Sequence, residues 1–262
     1  PLLPLSPKLR TIAFIGPLAK AVKDNHGGWS IGIPGVDYQR FIVNQWDGLQ
    51  RRAGAGTRLL YAQGTDLKGS SRAGFAQALA VARQADVVVM SMGEGEDMSG
   101  EARSRAHIGL PGVQEELVRA VHATGKPVVV LLNTGRPLIF NWTADHVPAI
   151  VCTWWLGTEA GNALADVLFG DHNPSAKLPM SFPRAEGQIP VYYNHFNTGR
   201  PVGTEGAGNF VSGYRDVLNT PRYAFGHGLS YTSFAYDNLV LDQTRMPAQG
   251  RISVTLNVKN AG

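Results

Sequence analysis

Short apolar runs alternate along the chain with segments of helical period. "TIAFIG" (residues 11–16) is apolar throughout and stops at Gly16-Pro17, the pattern of a strand buried on both faces. "RLLYAQGTD" gives a shorter strand ending at Gly64, and "DVVVMSM" (86–92), "KPVVVLLNT" (126–134) and "AIVCTWW" (149–155) give three more. Between them, "RAGFAQALAVARQA" (72–85) has alanine-rich helical periodicity. "LPGVQEELVRAVHATG" (110–125) sets Val113, Leu117, Val118 and Val121 on one stripe, with Pro111 suited to a first turn and Gly125 to a C-terminal cap. "TEAGNALADVLFGD" (158–171) is a helix stopped by Gly170. Strands that alternate with helices and are apolar throughout predict an α/β sandwich: a mostly parallel sheet between helices.

The ends read differently. Residues 1–10, "PLLPLSPKLR", are proline-rich and read as a linker. Near the C-terminus, "FAYDNLVLD" and "RISVTLNVKNAG" form about two strands, the latter alternating Ile252, Val254, Leu256 and Val258 with polar residues as a half-buried antiparallel strand does. Two strands rarely stand alone, so residues 236–262 read as the opening of a β-sandwich cut from a longer chain.

Composition narrows the function. Hydrophobic residues make up 44% and charged residues 17%, enough for a packed core. The formal charge is +4, but Lys and Arg are scattered without a basic stripe, so no nucleic-acid partner is expected. No apolar run approaches a membrane span, and the sequence shows no signal peptide. A single cysteine, Cys152 in "AIVCTWW", reads as a small core residue. His26, His107 and His195 lack the spacing of a metal site, so no metal is expected.

The candidate chemistry lies in "MGEGEDMSGEARSR" (92–105), directly after "ADVVVMS". Ligands of such sheets bind beyond the carboxyl ends of the strands. "NTGRP" (133–137) and "GTEAG" (157–161) follow other strands and should meet this loop at the same edge. The loop could be mistaken for a phosphate cradle, but it lacks the Gly-Lys-Ser/Thr ending and its carboxylates repel phosphate. Its carboxyl candidates are Glu94, Glu96, Asp97 and Glu101. The residues alone leave open whether any of them is more than part of a solvated loop. Trp29, between Gly27-Gly28 and Ser30, reads as a loop residue whose ring can stack or pack. Arg136 reads as a brace for a strand end.

"IAFIGPLA", "GGWS", "YAQGTDL", "ADVVVMSMGE", "SGEARSR", "LPGVQEELV", "KPVVVLLNTGRPL", the long run from Trp154 to Pro183 and "RYAFGHGLSYTSF" follow one another in the order of a known family. The chain resembles the second domain of the glycoside hydrolase family 3 β-glucosidases, nearly continuously from about residue 8 to 240, and its spelling is most similar to the periplasmic bacterial type. It departs at His227, where Tyr is commoner, and at Ala176, where Gly is commoner. The family's (β/α)8-type barrel is absent from this sequence.

The resemblance implies a six-stranded α/β sandwich over residues 11–235 and the start of a fibronectin-III-like domain at 236–262. It implies a retaining, exo-acting β-glucosidase in which a barrel Asp is the nucleophile and a Glu of this domain is the general acid/base. By the family's motif that Glu is Glu101. Trp29 would flank the aglycone subsite, and Glu94 would anchor the loop or bind sugar hydroxyls. A general acid working at neutral pH needs an elevated pKa, which a nearby guanidinium opposes, so Arg103 and Arg105 are expected to serve the loop's structure. No cofactor is implied. The implied partners are a β-glucoside or oligosaccharide and the barrel, and the implied location is periplasmic or secreted. Alternatives are a non-catalytic carbohydrate-binding or scaffold module and a β-xylosidase-type exo-glycosidase. Without the barrel's nucleophile, the chain alone is expected to be inactive.

Overall fold

The computed structural model of the chain describes residues 1–30, 34–197, 199–201 and 209–262. Five parallel strands form the main sheet: β1 (Thr11–Ile15), β2 (Arg58–Ala62), β3 (Val87–Gly93), β4 (Val128–Asn133) and β5 (Ala149–Cys152), in the order β2-β1-β3-β4-β5. The class is the expected α/β sandwich; among the described residues the sheet has five strands where six were expected.

Alternate side chains of these strands leave by opposite faces, and each face is covered. Ala13, Ile15, Val88, Met90, Val128 and Val130 point to one side. There they meet α3 (Phe75–Gln84), through Ala78 and Ala82, and α4 (Gln114–His122), through Leu117, Val118 and Val121. Trp142 of α5 (Asn141–His146) closes the same layer. Ile12, Phe14, Val87, Val89, Val129 and Leu131 point to the other side, against Leu49 of α2 (Gln45–Arg52) and Leu164 and Leu168 of α6 (Ala160–Phe169). All seven residues of β3 and all six of β4 are buried, which explains their nearly continuous apolar spelling, with Ser91 and Asn133 the buried polar exceptions.

The two helices of the second face approach very closely. A Cβ on Gly48 would lie 2.0 Å from the carbonyl of Gly161, and one on Gly161 would lie 2.0 Å from that of Asn44. α6 ends as its sequence predicts, with Gly170 in the left-handed region at φ 80°. α4 begins at Gln114, so Pro111 sits in the turn that leads into the helix. Residues 1–10 lie against the domain: Leu5 is buried, and Leu2, Leu3 and Leu9 pack on the α2/α6 face.

The last two strands, β6 (Phe234–Leu241) and β7 (Val254–Asn260), pair antiparallel as a separate ribbon. The half-burial expected from their alternation is not seen: Val254, Leu256 and Val258 are all exposed. A strand's alternation specifies which face it can bury, and within this chain nothing covers that face among the described residues.

The order of the central strands locates the site. β1 connects outward to β2, the chain then returns across β1 to β3, and the remaining strands follow in the opposite direction. β1 and β3 are neighbours whose connections diverge, the arrangement that opens a crevice at the carboxyl edge of an α/β sheet.

Candidate functional site at the carboxyl edge

Two loops meet at this crevice: residues 16–30 after β1 and residues 94–109 after β3. Both leave their strands by glycines pressed against neighbouring backbone. Gly16, at φ 134°, has room for no side chain, since a Cβ would lie 2.1 Å from the Ser91 carbonyl oxygen. Gly93, at φ 131°, would place one 1.8 Å from the Asn133 carbonyl oxygen. The sharp exits turn both chains upward beside each other.

Buried polar side chains hold the exits. Gln114, fully buried at the start of α4, accepts from the Gly93 amide at 2.7 Å and donates to the Gly93 carbonyl at 2.8 Å and to that of Leu67 at 2.9 Å. Ser91 donates to Gln45 at 2.6 Å, and Gln45 donates to Asn25 at 2.7 Å, tying β3, α2 and the first loop together. Sequence reasoning missed Gln114, Gln45 and Asn25. Their only signal was a glutamine in the first turn of each of two amphipathic helices.

Glu94 is the next post. Its side chain has no exposed surface. One carboxylate oxygen lies 2.6 Å from Nη1 of Arg105; Nε of Arg136 is 3.1 and 3.3 Å from the two oxygens; the Thr134 hydroxyl donates to the second at 2.8 Å. Arg105 also donates to the Gly109 carbonyl at 3.1 Å, and Arg136 to the Arg103 carbonyl at 2.7 Å and to that of Met98. A buried carboxylate is tolerated because two guanidiniums and a hydroxyl satisfy it, and the bonds to backbone carbonyls shape the loop above.

Glu101 sits at the exposed crest of that loop. Gly100, at φ 140°, and Ala102, at φ 55°, flank it, so the carboxyl rides on a sharp turn. Among the described residues no hydrogen bond or ion pair engages it. It lines an open cavity of about 360 Å³ with Gly28, Trp29, Gly100, Ala102 and Arg103. Trp29 is 71% exposed. The first loop reaches this position over Trp155, whose ring leaves no room for a Cβ on Gly27, 2.6 Å away, or on Gly135, 2.7 Å away.

The structure therefore brings Glu101 and Trp29 to one cavity, while Glu94 lies beneath it and is not among the lining residues. Of the two roles expected of Glu94, its surroundings are those of a loop anchor. Arg136 braces the strand end, and Trp154 packs on Phe182 with ring centroids 5.9 Å apart. Cys152 is largely buried, and desolvation pushes its thiol up to about 12, far from the reactive range. Among the described residues no group of three or more His, Cys, Asp or Glu is placed to hold a metal ion. No described helix is long and apolar enough to cross a membrane.

The chain is 44% identical over 280 residues to a periplasmic β-glucosidase of Salmonella typhimurium, covering 99% of this chain and 36% of that protein. It is 41% identical over 264 residues to a β-xylosidase of Formosa agariphila, covering 100% of this chain and 35% of that protein. The crystal structure of a Listeria innocua β-glucosidase in complex with glucose superimposes with a TM-score of 0.81 at 34% identity, over 99% of this chain and 39% of that one. The chain thus spans little more than a third of each of these three relatives. The model of the glycosyl hydrolase family 3 C-terminal domain matches residues 1–231, and to that family the chain belongs.

Proposed function

We propose that this chain supplies the acid/base half of a retaining, exo-acting β-glucosidase, with the nucleophilic Asp and most of the glucose pocket coming from a barrel domain. The observation that carries the reading is the placement of Glu101. Its exposed carboxyl stands beside Trp29 at the crevice between β1 and β3, on a loop whose base is fixed by buried ion pairs. A retaining glycosidase needs two carboxyl groups about 5–5.5 Å apart. The nucleophile attacks the anomeric carbon while Glu101 gives its proton to the departing glycosidic oxygen. Glu101 then takes a proton from water as that water displaces the enzyme carboxylate from the sugar. Trp29 offers an apolar ring face to the aglycone. Glu94 acts from below as the anchor. The arginines spend their donors on Glu94 and on backbone carbonyls, which leaves the Glu101 carboxyl without a guanidinium partner among the described residues.

The test is an aryl β-glucoside assay with and without the barrel domain, and with Glu101→Ala. Turnover is expected only with the barrel. Glu101→Ala should slow substrates with poor leaving groups by roughly 10²–10⁴-fold, much more than those with good ones, and added azide should rescue the deglycosylation step. Unchanged turnover in Glu101→Ala together with abolished turnover in Glu94→Ala overturns the assignment. Absence of turnover with the barrel in place favours a non-catalytic carbohydrate-binding or scaffold module.

The likeness to a β-xylosidase over the full chain supports a second reading of the sugar, since the barrel would build most of the pocket for it. Parallel assays on β-glucosides and β-xylosides separate the two. The periplasmic relative supports a location outside the cytoplasm, which cell fractionation checks.

A further inference from the structure

The two loops of the site are joined through a residue that the acid/base chemistry does not use. Glu96 lies between the end of β3 and the Glu101 turn, and each of its polar groups faces a different partner. Its carboxylate pairs with Lys23. Its amide donates to the Asp24 carboxylate at 3.0 Å. Its carbonyl accepts from Nη1 of Arg103. Lys23 and Asp24 begin the short helix α1 (Lys23–His26), which leads into Trp29. Arg103 lines the cavity beside Glu101 and Trp29. Gly28 closes the ring: a Cβ there would lie 2.8 Å from both Arg103 Nη1 and the Glu96 carbonyl oxygen. Below, the Asp24 carbonyl accepts from Asn133 Nδ2 at 3.2 Å, fixing α1 to the end of β4.

Trp29 is too exposed for its own packing to orient it, and Gly27, Gly28 and Gly100 give both loops freedom. An aglycone must stack and receive a proton at once, so the separation of ring and carboxyl has to be fixed in advance. We propose that Glu96 is a positioning residue that clamps the Trp29 loop to the Glu101 turn and thereby sets the preference for a sugar as leaving group. This deepens the reading of Glu101 and Trp29 given above and rests on it. The Lys23 ammonium is held above its ordinary value by its hydrogen bond to Glu96 and then by that carboxylate's charge, so Lys23 stays charged at neutral pH. Only the Lys23 end of the pair is exposed and Glu96 is mostly covered, so an unfolding curve recorded beside the kinetics separates an effect on the site from one on folding.

The test uses the chain assembled with its barrel domain and two substrates, a β-linked glucose disaccharide and β-glucosyl fluoride. The fluoride brings neither an aglycone to stack nor an oxygen to protonate. Glu96→Gln should raise KM for the disaccharide roughly 3-fold and leave fluoride hydrolysis unchanged. In a Trp29→Ala background the same substitution should add nothing. The exchange Lys23→Glu with Glu96→Lys should restore the disaccharide KM. Equal losses on both substrates, or an undiminished effect in the Trp29→Ala background, overturn the proposal. If Glu96→Gln does not fold, Lys23→Gln removes the pair from its exposed end and reads the same selectivity. Glu101→Ala, assayed in parallel, separates the two readings: normal disaccharide turnover there sinks the acid/base assignment, while the disaccharide-to-fluoride contrast of Glu96→Gln still reports on the clamp.

Discussion

The Glu94 carboxylate and Arg105 Nη1, at the base and far end of one loop, meet 2.6 Å apart with no part of Glu94 exposed. Arg136 approaches the same carboxylate at 3.1 Å from the loop after β4. Three segments thus close on one buried charge. Removing that charge leaves two guanidiniums paired to backbone alone. Glu94→Gln is therefore expected to cost about 3 kcal/mol, the low end for breaking a buried pair, because both arginines keep some contact with water. Urea unfolding measures it. A side chain whose task is to bind sugar hydroxyls gives the opposite signature, a raised KM at an unchanged unfolding midpoint.

Trp29 should behave in that opposite way. Its side chain is mostly exposed, so Trp29→Ala is expected to shift stability by less than about 0.5 kcal/mol. Loss of a stacking face of about 1.5 kcal/mol corresponds to a roughly tenfold rise in KM for a disaccharide. Steady-state kinetics with the barrel-assembled enzyme, beside a thermal melt, checks both halves. A collapsed melting temperature makes Trp29 a packing residue.

The sheet was legible because burial on both faces leaves strands such as β3 and β4 almost wholly apolar, with Ser91 and Asn133 the polar exceptions, and because Gly16, Gly125 and Gly170 mark where elements stop. The separate ribbon was only half legible. The alternation of Val254, Leu256 and Val258 shows a face able to be buried, but the covering surface is not encoded in the strand itself. Within the site, Glu94 and Glu101 belong to one acidic, glycine-rich run and nothing local ranks them. Their difference arises from Arg105, Arg136 and Thr134, two of which come from the end of another strand. Gln114 and Gln45 were invisible for a related reason. Each satisfies backbone or side-chain groups far away in sequence, and no periodicity records that.

The contact of α2 with α6 makes glycine obligatory at two positions. A methyl group on Gly161 would meet the Asn44 carbonyl oxygen at 2.0 Å, so the helices must separate or bend. Gly161→Ala is expected to destabilise by about 2–3 kcal/mol through overpacking, a fall in Tm of roughly 4–12 °C. Gly48→Ala should act on the same contact, so the double variant should fall short of the sum of the single ones. Calorimetry of the three variants decides the point. Additive effects show that the two glycines relax independently.

Asp86, just before β3, ties the start of β1 to the start of β3 through backbone amides. Its carboxylate accepts from the Arg10 amide at 2.8 Å and the Thr11 amide at 2.9 Å. The Thr11 bond first and the Arg10 bond second hold the carboxyl below its ordinary value of 3.8, with Arg10 and Lys126 adding favourable charge. The folded state therefore prefers the ionised form more than the unfolded chain does. The stabilisation is complete above the ordinary value and is lost as pH falls through the lower folded one. Asp86→Asn should make the protein less stable by a constant margin above about pH 5, and that margin should close on acidification below the ordinary carboxylate range. Urea midpoints of the two proteins across that range test the sign. A margin that stays fixed or widens in acid means that the backbone amides do not select the charged carboxylate.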